Sequence, residues 1–217
     1  MDEHHHKPFA KEKLTRGRPK SDAKKQAMLD AATTLFLEKG FDGTSMDEVA
    51  RIAHVSKQTV YTHFSSKEGL FSAAIKARLK DVYPNQSVTR AKAPTVEAAL
   101  LALANDIVRL VLSPDAIALV RLMAAVAGKS NSLVELFWAS GPSEIEEQLT
   151  DLIRGWRDEG SLQTDDSELA AADFLALLRG DLQFRWAIGL IDGVTEDQIR
   201  AHTNHCVALF MRMYGKA

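Results

Sequence analysis

Ser45-Met-Asp-Glu-Val-Ala-Arg-Ile-Ala-His-Val-Ser-Lys-Gln-Thr-Val-Tyr-Thr-His-Phe64 holds two short helical patterns separated by the turn His54-Val55-Ser56. Ser45 and Glu48 have the spacing of a capping box, in which a hydroxyl and a carboxylate satisfy the free amides of a first helical turn. A helix over about 46–53 follows, carrying Val49, Ile52 and Ala53. Ser56 then caps a helix running to Phe64. Val60 and Phe64, one turn apart, face the core with Ile52 and Leu35, which turns Lys57, Gln58, Thr59, Tyr61, Thr62 and His63 outward. None of the six is a carboxylate, and all but the basic Lys57 can accept as well as donate hydrogen bonds, as suits a surface meeting bases and phosphates. Two short helices about so tight a turn match a helix-turn-helix, whose second helix enters the major groove of duplex DNA. An ordinary polar helix face is the plain alternative for the second helix taken alone.

Working outward, Met28, Ala31, Ala32 and Leu35 fall at i, i+3, i+4 and i+7, so about 22–39 is an amphipathic helix closed by Gly40. Ser65-Ser-Lys-Glu68 reads as a second capping box, opening a helix with Leu70, Phe71, Ala74, Ile75 and Leu79. Tyr83-Pro-Asn-Gln-Ser87 and Ala91-Lys-Ala-Pro94 are a break. Beyond it, helices are expected over about 95–112, 115–127 (opened by Ser113-Pro114), 131–140, 143–159 (opened by Pro142 and the box Ser143–Glu146), 166–191 and 196–213 (opened by Thr195–Gln198). No stretch requires a strand. The expected fold is all-α: an N-terminal three-helix helix-turn-helix unit and a C-terminal helical bundle.

The chain of 217 residues, 46% hydrophobic and 26% charged, has room for a real core without disulfides. Its net charge of −2 hides an asymmetry. Residues 1–80 hold 15 Lys/Arg against 10 Asp/Glu, a surplus of +5, whereas 81–217 hold 12 against 19, a balance of −7. A basic N-terminal half suits a polyanion, because each Lys or Arg set against a phosphate releases a condensed counterion. The most apolar stretch, Ile107 to Ala127, is interrupted by Arg109, Ser113-Pro114-Asp115 and Arg121, too polar for a membrane span. The N-terminus lacks a secretion signal and Cys206 stands alone, so a cytoplasmic protein without membrane contact is expected.

Met28-Leu-Asp-Ala-Ala-Thr-Thr-Leu-Phe-Leu-Glu-Lys-Gly-Phe41, Thr44-Ser-Met-Asp-Glu-Val-Ala50, Ala53 to Phe64 and Ser66-Lys-Glu-Gly-Leu-Phe71 closely resemble the DNA-binding domain of the tetracycline-repressor (TetR) family. Phe174-Leu-Ala-Leu-Leu-Arg-Gly-Asp-Leu-Gln-Phe-Arg185 looks like the penultimate helix of an AefR-like subgroup. The resemblance implies a homodimeric regulator of transcription that binds a pseudo-palindromic operator in double-stranded DNA and answers to a small-molecule effector. It implies phosphate contacts from Thr44, Ser45, Tyr61, His63 and Lys67, and base contacts from Lys57, Gln58, Thr59 and Thr62. Gln58 departs from the Gly or Ala of many members, and its carboxamide could pair bidentately with adenine. Arg16-Gly-Arg-Pro-Lys20 resembles minor-groove arms, with Arg16, Arg18 and Lys20 reaching a narrow A·T-rich groove. A solvating tail is the equal alternative for this arm.

The organisation expected is a basic arm (1–21), the helix-turn-helix domain (22–68) and an effector-binding and dimerisation domain (69–217). Apolar and aromatic residues with a few polar anchors make the usual small-molecule site, and the family resemblance implies one here, with Arg121, Met123, Phe137, Trp138 and Phe184 around an apolar or aromatic ligand for which an anionic group is an option. Dimerisation is expected through the last two long helices, with Phe174, Leu178, Phe184 and Ile188 on one and Ile199, Cys206, Phe210 and Met213 on the other, as a four-helix bundle about a twofold axis. His202, His205 and Cys206 share a helix face but lack a fourth metal ligand, so packing is preferred and no metal or cofactor is expected. No G-x-G-x-x-G, G-x-x-x-x-G-K-[ST], H-E-x-x-H or G-x-S-x-G is present, so no enzyme activity is expected. The rival reading is a cytoplasmic helical enzyme or ligand carrier with an incidental basic tail. A third is a DNA-binding activator or nucleoid protein without an effector.

Overall fold

A computed structural model describes residues 18–82, 93–128 and 131–216. Ten helices form among the described residues: α1 (Arg18–Gly43), α2 (Met46–Ile52), α3 (Lys57–Phe64), α4 (Lys67–Val82), α5 (Val96–Val111), α6 (Pro114–Val126), α7 (Asn131–Ala139), α8 (Pro142–Asp158), α9 (Ser167–Ala187) and α10 (Glu196–Tyr214). Among these residues there is no strand, only an isolated bridge between Leu162 and Gly215. None of the ten helices is long and apolar enough to cross a membrane.

Caps set most of the boundaries. Ser45, Ser56, Thr95 and Ser113 each accept a hydrogen bond from the amide three residues on, and Thr195 and Gln198 form the full reciprocal box. Gly40, at φ +72°, interrupts the regular part of α1 in a conformation that glycine adopts without strain. Three expectations are corrected. The cap of α4 is Ser66, whose Oγ accepts from the Gly69 amide, while Ser65 takes a left-handed φ of +56°. The box Ser143–Glu146 does not form, because α8 already starts at Pro142, behind Gly141. And α1 begins at Arg18, so Arg18 and Lys20 lie in a helix rather than an extended arm; Arg16 lies outside the described residues.

Two apolar cores result. One gathers Met28, Leu35 and Phe36 of α1, Val49 of α2, Val60 and Phe64 of α3, and Leu70, Phe71 and Ala74 of α4. Met123 of α6 and Leu133 of α7 join it. Its aromatic centre is Phe71, whose ring meets Phe36 edge-on at 5.1 Å and Phe41 at 5.6 Å. The second core packs α5, α8, α9 and α10 around Leu100, Leu103, Ile107, Leu149, Ile153, Trp156, Phe174 and Phe210. Arg109 of α5 holds Glu196 of α10 through two hydrogen bonds, at 2.7 and 2.5 Å.

The second core overturns most of the expected dimer surface. Phe174, Leu178, Ile199, Cys206 and Phe210 are buried within the chain. Helical periodicity marks an apolar face without saying whether its partner lies in the same chain, and here α5 and α8 take it. Burial pushes the Cys206 thiol up to about 11. Of the residues expected there, Phe184, Met213 and, at the C-terminal cap of α9, Ile188 are exposed.

Inside α9, Gly180 takes φ +54° and ψ −167°, a region essentially closed to residues with a Cβ. α10 supplies partners to carbonyls of the turn before the break: His202 Nε2 lies 2.9 Å from the Leu178 oxygen and the Cys206 thiol donates to the Leu177 oxygen. A Cβ on Gly180 would come within 2.8 Å of His202 Cε1. Gly180→Ala should therefore lose about 1–3 kcal/mol of stability in urea unfolding. His202→Ala should offset part of that loss in the double variant, and strictly additive effects would place the strain elsewhere.

Candidate nucleic-acid interface and ligand cavity

α3 is seated by Val60 and Phe64, both buried, and presents Lys57, Gln58, Tyr61, Thr62 and His63 to solvent, with Thr59 half-buried. Ile52, expected in the core beside them, is 38% exposed; α2 has seven residues and anchors itself through Met46, Val49 and Ala50. The outward side chains differ in how free they are. Lys57 is paired with Asp47 at 2.8 Å, and that hydrogen bond holds its ammonium above the usual lysine range. Thr62 donates to the Gln58 carbonyl at 2.7 Å, and the Thr59 hydroxyl lies 2.8 Å from that of Ser56. Gln58 keeps its carboxamide without a side-chain partner among the described residues, leaving both a donor and an acceptor open.

Two expected phosphate ligands are largely committed within the fold. Thr44 is 3% exposed; its hydroxyl donates to the Gly40 carbonyl and its amide to the Phe41 carbonyl. Lys67 donates to the Phe41 and Thr44 carbonyls at 2.9 and 3.2 Å and lies over the Phe41 ring at 4.4 Å. Two of its three N–H groups thus close the end of α1. Ser45 is exposed and serves as the cap of α2. Glu48 turns to Lys39 at 2.6 Å instead of completing the capping box, and that bond holds its carboxyl below the usual range.

Between the two cores lies a cavity of about 320 Å³. Thr33, Phe36 and Leu37 of α1 and Phe71, Ala74, Ile75 and Arg78 of α4 form one wall. Ile107 and Leu110 of α5, Ala116 and Leu119 of α6, Phe137 and Trp138 of α7, and Leu175, Arg179 and Gln183 of α9 form the others. Arg78 and Asp115 pair at 2.6 Å, linking α4 to α6 at the cavity wall. Of the five residues expected around a ligand, the structure brings Phe137 and Trp138 together there. Arg121 instead donates to the carbonyls of Ala187 and Trp186, capping the end of α9. Met123 is buried in the N-terminal core, and Phe184 is 63% exposed on the outside of α9. Sequence reasoning missed Arg78, Asp115, Arg179 and Gln183. The readable signal was Leu175, Arg179 and Gln183 at i, i+4 and i+8, two polar residues in line with a core leucine.

The family profile for bacterial regulatory proteins of the tetR family matches residues 28–74, and that for the C-terminal domain of AefR-like transcriptional repressors matches 98–216. The negative transcriptional regulator IcaR of the icaADBC biofilm operon in Staphylococcus aureus is 40% identical over 52 residues. That match spans 24% of this chain and 28% of IcaR. The HTH-type transcriptional regulator YdeS of Bacillus subtilis, itself uncharacterised, is 39% identical over 69 residues, 32% of this chain and 35% of YdeS. Among solved structures, a TetR-family transcriptional regulator from Mesorhizobium loti is similar with a TM-score of 0.75 and 28% identity, covering 92% of this chain and 100% of that one. The flavonoid-responsive regulator FrrA is similar with a TM-score of 0.66 and 32% identity, covering 89% and 98%.

Lys67→Met, which keeps an apolar stem and removes the donors, should destabilise the chain by about 1–3 kcal/mol in thermal or urea unfolding. A variant as stable as the parent would show that Lys67 does not close α1.

Proposed function

Because the chain belongs to the TetR family of transcriptional regulators, we propose that it is an operator-binding repressor, acting in the cytoplasm as a homodimer and released from DNA by a small molecule held in the cavity between its two cores. The observation that carries this reading is the outward row of α3, free of carboxylates and fixed from below by Val60 and Phe64. Gln58 reads a base edge, Lys57 exchanges Asp47 for a base or phosphate, and Tyr61, His63 and Ser45 position the backbone. Lys67 adds its third N–H to a phosphate while holding α1. IcaR, which is similar to this chain over 52 residues, is a negative regulator by name.

The dimer uses the outer face of α9 and its C-terminal turn. Leu169, Phe184, Ile188 and Leu190 stand 56–65% exposed, an apolar surface that a monomer rarely leaves to water. Exposed Ala172 and Ala176 continue the same stripe and allow a partner helix to approach closely. Dimerisation places the two α3 helices against half-sites one helical turn apart, about 34–36 Å.

The effector acts through α1 and α4, which supply one wall of the cavity and also carry the core on which α3 sits. An occupant that favours a different setting of α4 against α6, at the Arg78–Asp115 pair, changes the spacing of the α3 helices. A coupling of about 1–3 kcal/mol gives roughly 5–150-fold release, and operator DNA must weaken effector binding by the same factor. The aromatic lining, with Phe36, Phe71, Phe137 and Trp138, suits a flat apolar molecule, and FrrA is flavonoid-responsive by name.

Selection from a random duplex library should yield one pseudo-palindromic site whose affinity falls steeply with salt. Gln58→Ala should cost about 1–3 kcal/mol at one symmetric pair of positions only. Absence of any preferred site would contradict the reading. Phe184→Glu with Ile188→Glu should sediment as a folded monomer and lose operator binding; a persisting dimer would place the interface elsewhere.

A further inference from the structure

The cavity wall is apolar apart from a few polar groups, and one of those carries an unbalanced charge. Arg78 is neutralised by Asp115 at 2.6 Å. Arg179 lines the same space, half-buried, and no carboxylate among the described residues pairs with it. The acidic groups nearest to it along α9 are committed elsewhere: Asp181 to Arg185, and Asp173 to the Tyr214 hydroxyl at 2.5 Å. A guanidinium stays charged at any accessible pH, and leaving one partly buried without a counter-charge is unfavourable. One turn on, Gln183 donates to the Val111 carbonyl at 3.0 Å, which leaves its amide oxygen as an acceptor.

We infer that Arg179 is the anion-binding residue of this cavity, and that its ligand is an apolar or aromatic molecule with a single negative charge, such as a carboxylate or sulfonate. The inference rests on the reading of the cavity as the effector site. A neutral occupant would leave Arg179 unpaired beside an apolar body, whereas an anion gains a fork of two charge-assisted hydrogen bonds. A polyanion is disfavoured, because Asp115 sets a carboxylate in the same wall and claims Arg78. The volume of about 320 Å³ is at the small end of ligand sites, room for a two- or three-ring body.

Two fluorescent probes with one aromatic body separate the charge from the cavity: 1-anilinonaphthalene-8-sulfonate and its uncharged counterpart N-phenyl-1-naphthylamine. Both should bind the full chain, and Ala116→Phe, which fills the cavity, should remove both signals. Arg179→Met should weaken the sulfonate probe about tenfold or more while leaving the neutral probe within about twofold, and Arg179→Lys should recover part of the loss. If Arg179→Met leaves the sulfonate probe unchanged, or weakens both probes equally, the inference is overturned and the cavity reading stands. If neither probe binds the parent chain, or both survive Ala116→Phe, the cavity reading falls and the inference falls with it.

Discussion

The contact on which the structure depends most is that of Phe71 with α1. Its ring is 1% exposed, lies edge-on to Phe36 and Phe41, and at the same time lines the cavity. Edge-to-face pairs of this kind add about 0.5–1.5 kcal/mol beyond area burial, and they fix orientation as well as distance. α4 is thereby locked to α1 at the point where Gly40 breaks the helix and Lys67 satisfies the freed carbonyls. The seat of α3 is this same core, through Val60 and Phe64. The surface proposed to read DNA and the cavity proposed to hold an effector are thus two sides of one packed cluster. Close-packed interiors transmit displacement in preference to absorbing it, and this arrangement needs no further element to connect the two sites.

Most of the N-terminal half was legible in the sequence because its signals are local. Ser45 and Ser56 as caps and the inward pair Val60 and Phe64 need only a few neighbours to declare themselves, and the structure places each so, although Glu48 pairs with Lys39 and leaves the box at Ser45 half-formed. Thr44 and Lys67 were legible as to position and not as to partner. A short hydroxyl after a left-handed glycine turns back to the carbonyl of that glycine, and a lysine at the start of α4 reaches the end of α1 before it reaches solvent. Ile52 shows the limit of periodicity in a helix of two turns, where the apolar face is too short to define which residue is turned out.

The C-terminal half was legible as helices and not as surfaces. Phe174, Phe210 and Cys206 share the period of an interface and of a core, and only the positions of α5 and α8 separate the two. Arg121 and Arg179 are both arginines set in apolar helices. The first spends its donors on the carbonyls that end α9, whereas the second, placed before the break at Gly180, faces the cavity. Nothing in their local sequence separates these outcomes, since the first depends on where α9 ends and the second on which helices wall the cavity.

Whether the α3 seat and the cavity share one cooperative core through Phe71 can be read by hydrogen-exchange mass spectrometry of a Phe71→Leu variant without DNA or ligand. Amide protection should fall together in peptides of α1, α3 and α4, because the ring they share has been replaced. A fall confined to α4, with α1 and α3 as protected as in the parent, would contradict it.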